Sequence, residues 1–156
     1  MFSSAFAEPL SLEVNGETYK ISPLRIGDFA KLESHLKSKI LGVAMKQAEQ
    51  ITDPTIRKEV IDSALRQTNS INIFSQGTEA QNFLSSVEGI IQILYLSLLR
   101  NHKDINADKV EDIISSIGNP ETLGQIVMFI SGIGTAEEAK KKLEEQKKNS
   151  TVGNSL

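Results

Sequence analysis

The stretch that decides the fold is Leu10-Ser-Leu-Glu-Val14, Asn15-Gly16, Glu17-Thr-Tyr-Lys-Ile21. Both flanks alternate apolar and polar residues with a period of two, the period of a half-buried strand. Asn-Gly between them is the preferred dipeptide of a type I′ turn, because both central residues of that turn need positive φ. A two-residue turn sets Val14 opposite Glu17, Leu12 opposite Tyr19 and Leu10 opposite Ile21. Leu10, Leu12, Val14, Tyr19 and Ile21 then share one face. A lone hairpin is marginal in water, so this face must lie on helices or on a partner.

Everything downstream reads as helix. From Asp28, taken as an N-cap, the apolar positions Phe29, Leu32, Leu36, Ile40 and Val43 step by three or four to a helix end near Ile51. Thr52-Asp53-Pro54 stops that helix and starts another, striped by Ile56, Val60, Ile61, Ala64 and Leu65. Asn69 to Thr78 reads as a loop holding an apolar cluster, Ile71, Ile73 and Phe74. Glu79 to Arg100 reads as one central helix, apolar on most of its circumference. Ala107–Ile117 and Pro120–Ser131 follow, with Asn106 as a cap and Gly118-Asn119-Pro120 as the joint. Thr135-Ala-Glu-Glu138 matches a capping box, and the helix after it, to Lys148, carries only Ala139 and Leu143 as interior apolar positions.

The expected fold class is therefore mainly α: a small helical domain with an N-terminal β-hairpin, α+β by strict count. The expected organisation is a flexible N-terminus over 1–9, a hairpin plus helical domain over 10–134, a solvated helix over 135–148 and a disordered tail over 149–156. At 156 residues, one domain is expected at roughly 150 residues each. The 17 Lys and Arg against 20 Asp and Glu leave a net charge of −3, which offers no electrostatic footprint for nucleic acid. No cysteine is present, excluding disulfides, thiol nucleophiles and Cys-rich zinc sites. MFSSAFAEPL has neither the basic nor the apolar region of a signal peptide. Gly89–Leu99 is too short for the roughly 18 apolar residues of a membrane span.

The search for chemistry is mostly negative. Asp104-Ile-Asn106-Ala-Asp108 has the first three ligand spacings of a calcium loop, but Lys109 stands where the turn needs Gly and Ser115 where a bidentate Glu should bind. It reads instead as a helix start. His35 and His102 each lack a second His at metal spacing. No G-x-S-x-G, G-x-G-x-x-G or Walker pattern occurs, and Gly132-x-Gly134 reads as a helix stop. The Glu and Lys pairs of 137–148 sit at i,i+3 and i,i+4, a solvated face. No enzyme, cofactor or metal is expected.

The order of parts carries a resemblance. A short hairpin with V-N-G-x-x-Y, then Pro23-Leu-x-Ile-Gly-Asp28 opening the first helix, then Tyr95-Leu-Ser-Leu-Leu-Arg100-Asn-His102-Lys-Asp104-Ile-Asn106 before an acidic short helix, resembles the tail assembly chaperones of long-tailed bacteriophages over residues 10 to 134. Lys103 stands where many such proteins have Pro. The resemblance implies a non-catalytic viral protein of the host bacterial cytoplasm. Such a protein binds the tape measure protein, keeps it soluble and helps recruit tail tube subunits. It also implies two product lengths made by frameshifting, for which a run of adenines encoding Ala139-Lys140-Lys141-Lys142 would serve. A long helix with an apolar face is a partner that small helical domains accept in a groove. Ile71, Ile73 and Phe74 are the candidate contact residues, the competing reading being that they cover the core. The alternatives are a structural virion component, such as a head-to-tail connector, and a host regulator or adaptor. A homo-oligomer is compatible with all three, and neither nucleic acid nor membrane is expected as a partner.

Overall fold

A computed structural model describes residues 8–75 and 78–152, with the side chains of 78 and 150–152 left out. The hairpin forms as expected. β1 (Leu10–Val14) and β2 (Glu17–Ile21) pair antiparallel with Leu10 opposite Ile21, Leu12 opposite Tyr19 and Val14 opposite Glu17. Asn15 and Gly16 both take positive φ, 51° and 81°, as the primed turn demands. Leu10, Leu12, Val14 and Ile21 are buried and Tyr19 is half-buried.

Seven helices follow among the described residues: α1 (Ile26–Glu49), α2 (Pro54–Ser70), α3 (Thr78–Leu84), α4 (Val87–Leu99), α5 (Ala107–Ile117), α6 (Pro120–Ile130) and α7 (Ala136–Val152). The mainly helical class with an N-terminal hairpin is what the chain adopts. Where one domain is expected, however, the chain divides into two compact units. The first joins the hairpin segment, up to Arg25, with the chain from Ile90 onward; the second is Ile26–Gly89.

Local chemistry explains the boundaries. Asp53 accepts from the Thr55 and Ile56 amides at 2.8 and 3.4 Å, with Pro54 at the first helical position. Asn106 accepts from the Lys109 amide at 2.9 Å, so the failed calcium pattern is a helix cap. Asn119 caps α6, after Gly118 ends α5 at φ 62°. The Thr135 capping box closes both ways: Glu138 N–H donates to Thr135 Oγ1 at 3.2 Å, and Thr135 N–H to Glu138 Oε2 at 3.0 Å. Gly132, at φ 76°, ends α6 in a Schellman motif: its N–H donates to Phe129 O and that of Ile133 to Met128 O.

Four expectations need correction. Asp28 lies inside the first turn of α1 rather than capping it. The helix expected over Glu79–Arg100 is two, because the Ser85 and Ser86 hydroxyls bond back to Gln81 O and Phe83 O, and Ser86 Oγ accepts from Gly89 N–H as the start of α4. Hydroxyls that compete with the helix ladder favour such breaks. The last helix runs past Lys148 to Val152, so 149–152 are helical; of the tail expected over 149–156, only 153–156 fall outside the described residues, as do 1–7 of the flexible segment expected over 1–9. That helix also docks: Ala139 is fully buried, and the Gln146 amide donates to Ile117 O. The fold therefore does not end near Gly134.

In the first unit, Ile93, Leu94 and Leu98 of α4, Val110 and Ile113 of α5, and Ile126, Phe129 and Ile130 of α6 are buried with the hairpin face. Ser22 N–H donates to Ser97 O, and Leu24 N–H to Ile130 O at 2.8 Å. Among the described residues no helix is long and apolar enough to cross a membrane.

Candidate functional site: an apolar groove in the second unit

The second unit is a helical hairpin, α1 against α2, with α3 closing one side. Ala44 and Ala48 of α1 and Ala64 of α2 are buried in it. Val43 and Ile56, expected in the core stripes, are 49% and 50% exposed.

These residues border an open groove of about 780 Å³. Leu36, Ile40 and Val43 line it from α1, Ile56 and Val60 from α2, and Phe83 from α3. Ser63, Gln67, Asn82 and Ser86 add hydroxyl and amide groups, and Glu59, Glu79 and Lys39 supply its charges. Apolar and polar residues share the lining about equally, a mixture that suits an amphipathic helix, its apolar face on the aliphatic side chains and its flanks on the polar ones. Gln67 donates to Glu79, tying α2 to α3 across the groove.

Polar contacts fix the walls. His35 Nε2 lies 3.0 Å from Glu88 Oε1, Lys39 Nζ donates to Glu88 Oε2, and the His35 ring stands 5.8 Å from that of Phe83. The Lys39 ammonium, then His35, hold the Glu88 carboxyl below its ordinary value. His35 is thus a polar contact between α1 and the start of α4. Glu33 accepts from Lys37 Nζ at 2.6 Å and from the Ile73 amide at 3.0 Å, and both contacts, Lys37 first, lower its pKa. Among the described residues no group of three His, Cys, Asp or Glu side chains is placed to hold a metal.

The three contact candidates separate. Ile71 and Ile73 are buried in the core, the Ile71 amide bonded to Thr68 O and the Ile73 amide to Glu33. Phe74 remains 63% exposed, with its ring 5.2 Å from that of Phe29. Residues 76 and 77 of the same loop lie outside the described residues. What sequence reading missed is the groove, because a helical period marks an apolar face without telling whether a neighbouring helix covers it; Val43 and Ile56 carried the signal but were read as core. Comparison with family models, with curated proteins and with solved structures returned no match.

Proposed function

We propose that the protein is a non-catalytic tail assembly chaperone of a long-tailed phage. In this reading the α1–α2–α3 groove holds an apolar-faced helix of the tape measure protein in the bacterial cytoplasm and the complex recruits tail tube subunits. Two things support it: the order of hairpin, Pro-Leu-x-Ile-Gly-Asp and Ser-Leu-Leu-Arg-x-His segments, and the groove itself. The observation that carries it is the pair Val43 and Ile56, half-exposed on two helices that line one cleft of mixed apolar and polar character. Large apolar side chains kept in water on both walls are what a helix-binding groove requires and what a closed core avoids.

The test is co-purification from infected cells with a tagged chain. The tape measure protein should accompany the unaltered chain and be lost from the Val43→Glu/Ile56→Glu variant, which places charges in the groove without touching buried residues. Absence of the tape measure protein, or equal recovery with both chains, would overturn the proposal. Recovery of the chain in finished virions would assign it instead to a structural component.

A further inference from the structure

The two edges of the hairpin are finished differently. On β2, Lys20 N–H donates to His102 Nε2 at 2.8 Å and Lys20 C=O accepts from Asn101 Nδ2 at 3.1 Å. Both main-chain groups of Lys20 therefore point away from β1. Lys20 stands opposite Ser11, and the two members of such an antiparallel pair both point outward. The Ser11 N–H and C=O thus face away from β2, and two residues on so do those of Glu13. Among the described residues no backbone group meets them.

What lies beside this edge is α7. Ser11, Leu12 and Glu13 on one side and Lys140, Leu143 and Lys147 on the other enclose a gap of about 230 Å³. A helix laid along a strand covers it, as proteins commonly blunt an edge, but its own ladder is satisfied internally and it offers the strand none. Ala139 is buried, Leu143 half-buried and the Gln146 amide bonded to Ile117 O, and the charged fastenings include Lys142 to Glu121 at 2.8 Å and Lys147 to Glu13 at 3.7 Å, whose carboxylates lie largely in solvent. Exposed ion pairs of this kind are weak and screened by salt.

We propose that the outer edge of β1 is a self-association surface, covered by α7 in the closed chain and occupied by β1 of a second copy when α7 lifts. The strand is self-complementary about a two-fold axis at Leu12. Ser11 of one copy faces Glu13 of the second and the reverse, each pair exchanging both of its main-chain hydrogen bonds. Leu12 faces Leu12, which joins the two apolar faces, and no like charges stand opposite each other.

The experiment uses the full chain carrying Lys142→Glu and Lys147→Glu, which sets like charges against Glu121 and Glu13. Hydrogen exchange of the α7 amides should quicken about tenfold. Sedimentation velocity should show more dimer than the unaltered chain at equal concentration, with the Ser11 and Glu13 amides newly protected. Adding Ser11→Pro, tolerated because that N–H lies outside the hairpin ladder, should remove the extra dimer and leave α7 loose. Unchanged α7 exchange, no rise in dimer, or a dimer that survives Ser11→Pro would overturn the proposal. Should the charge variant fail to fold, the unaltered chain in 1 M salt, where the screening length falls to about 3 Å, must show the same loosening and the same dimer; their absence there overturns it equally.

Discussion

Gly89→Ala is the sharpest test of the packing. Gly89 sits in the first turn of α4, where helix propensity alone favours alanine by about 1 kcal/mol. The structure predicts the opposite. A Cβ built on Gly89 would come within 1.9 Å of the Phe83 carbonyl oxygen, 2.7 Å of its carbon and 3.0 Å of Leu84 Cα. All three are main-chain atoms, so no side chain can swing aside. Restoring even a 3.0 Å separation to the oxygen moves α3 and α4 apart by roughly 1 Å, an overpacking shift that costs about 1–3 kcal/mol or more. The same shift strains the Ser86 Oγ bond to the Gly89 amide, 3.1 Å long, and losing such a cap costs about 1 kcal/mol. Set against the propensity gain, the net loss is about 2 kcal/mol. In urea, with a slope of about 2 kcal/mol/M, the unfolding midpoint should fall by about 1 M. A midpoint that stays or rises would refute the reasoning and show that the α3–α4 turn has room for a methyl group.

Four further outcomes are expected. Leu12→Asp, placing a carboxylate at a position 4% exposed, should lower stability by several kcal/mol, about 3 or more, read as a fall in thermal midpoint with the far-UV signal of the helices intact at low temperature. Because Glu88 is held below its ordinary 4.5, its contribution is complete above that pH and is lost as pH falls through the lower folded value; Glu88→Gln should therefore flatten the acid limb of a stability-against-pH curve below about 4.5 and leave the neutral region unchanged in slope. Ala139→Glu should cost about 2 kcal/mol or more by burying a charge at the α7 contact, whereas removing residues 149–156, beyond the Gln146 contact, should change stability by less than about 0.5 kcal/mol, both read by urea titration.

Much of the fold was legible because its signals are local. The Asn15-Gly16 turn, the Asp53, Asn106 and Asn119 caps and the Thr135 box each satisfy backbone groups within three residues, so the chain carries them wherever it goes. The division of the long apolar helix was less legible. Ser85 and Ser86 are weak breakers on their own, and the sequence does not mark Gly89 as a position where a side chain would strike Phe83 O. The docking of α7 was missed because Ala139 buries little area and Gln146 contacts Ile117 O, 29 residues away. Period does not encode such a contact. The groove was hidden for a related reason: a helical period marks Val43 and Ile56 as apolar-face residues without telling that no neighbouring helix covers them. Ile71, Ile73 and Phe74 are alike as a sequence cluster, and contacts outside it, such as the Glu33 carboxylate on the Ile73 amide 40 residues away, are not encoded in the local pattern.

The splitting of the first unit along the chain has a consequence for synthesis. The hairpin leaves the ribosome ahead of the helices of its own unit, and the ring that accepts the Lys20 amide follows 82 residues later, about 4–16 s at ordinary elongation rates. In that interval the second unit, continuous in sequence from Ile26 to Gly89, can complete its contacts, while Leu10, Leu12, Val14 and Ile21 wait with no helical surface of their own unit yet made. The nascent chain is thus most adhesive at its hairpin, and slow decoding between the hairpin and α4 would lengthen the time during which neighbouring chains on one message can find each other through that strand pair.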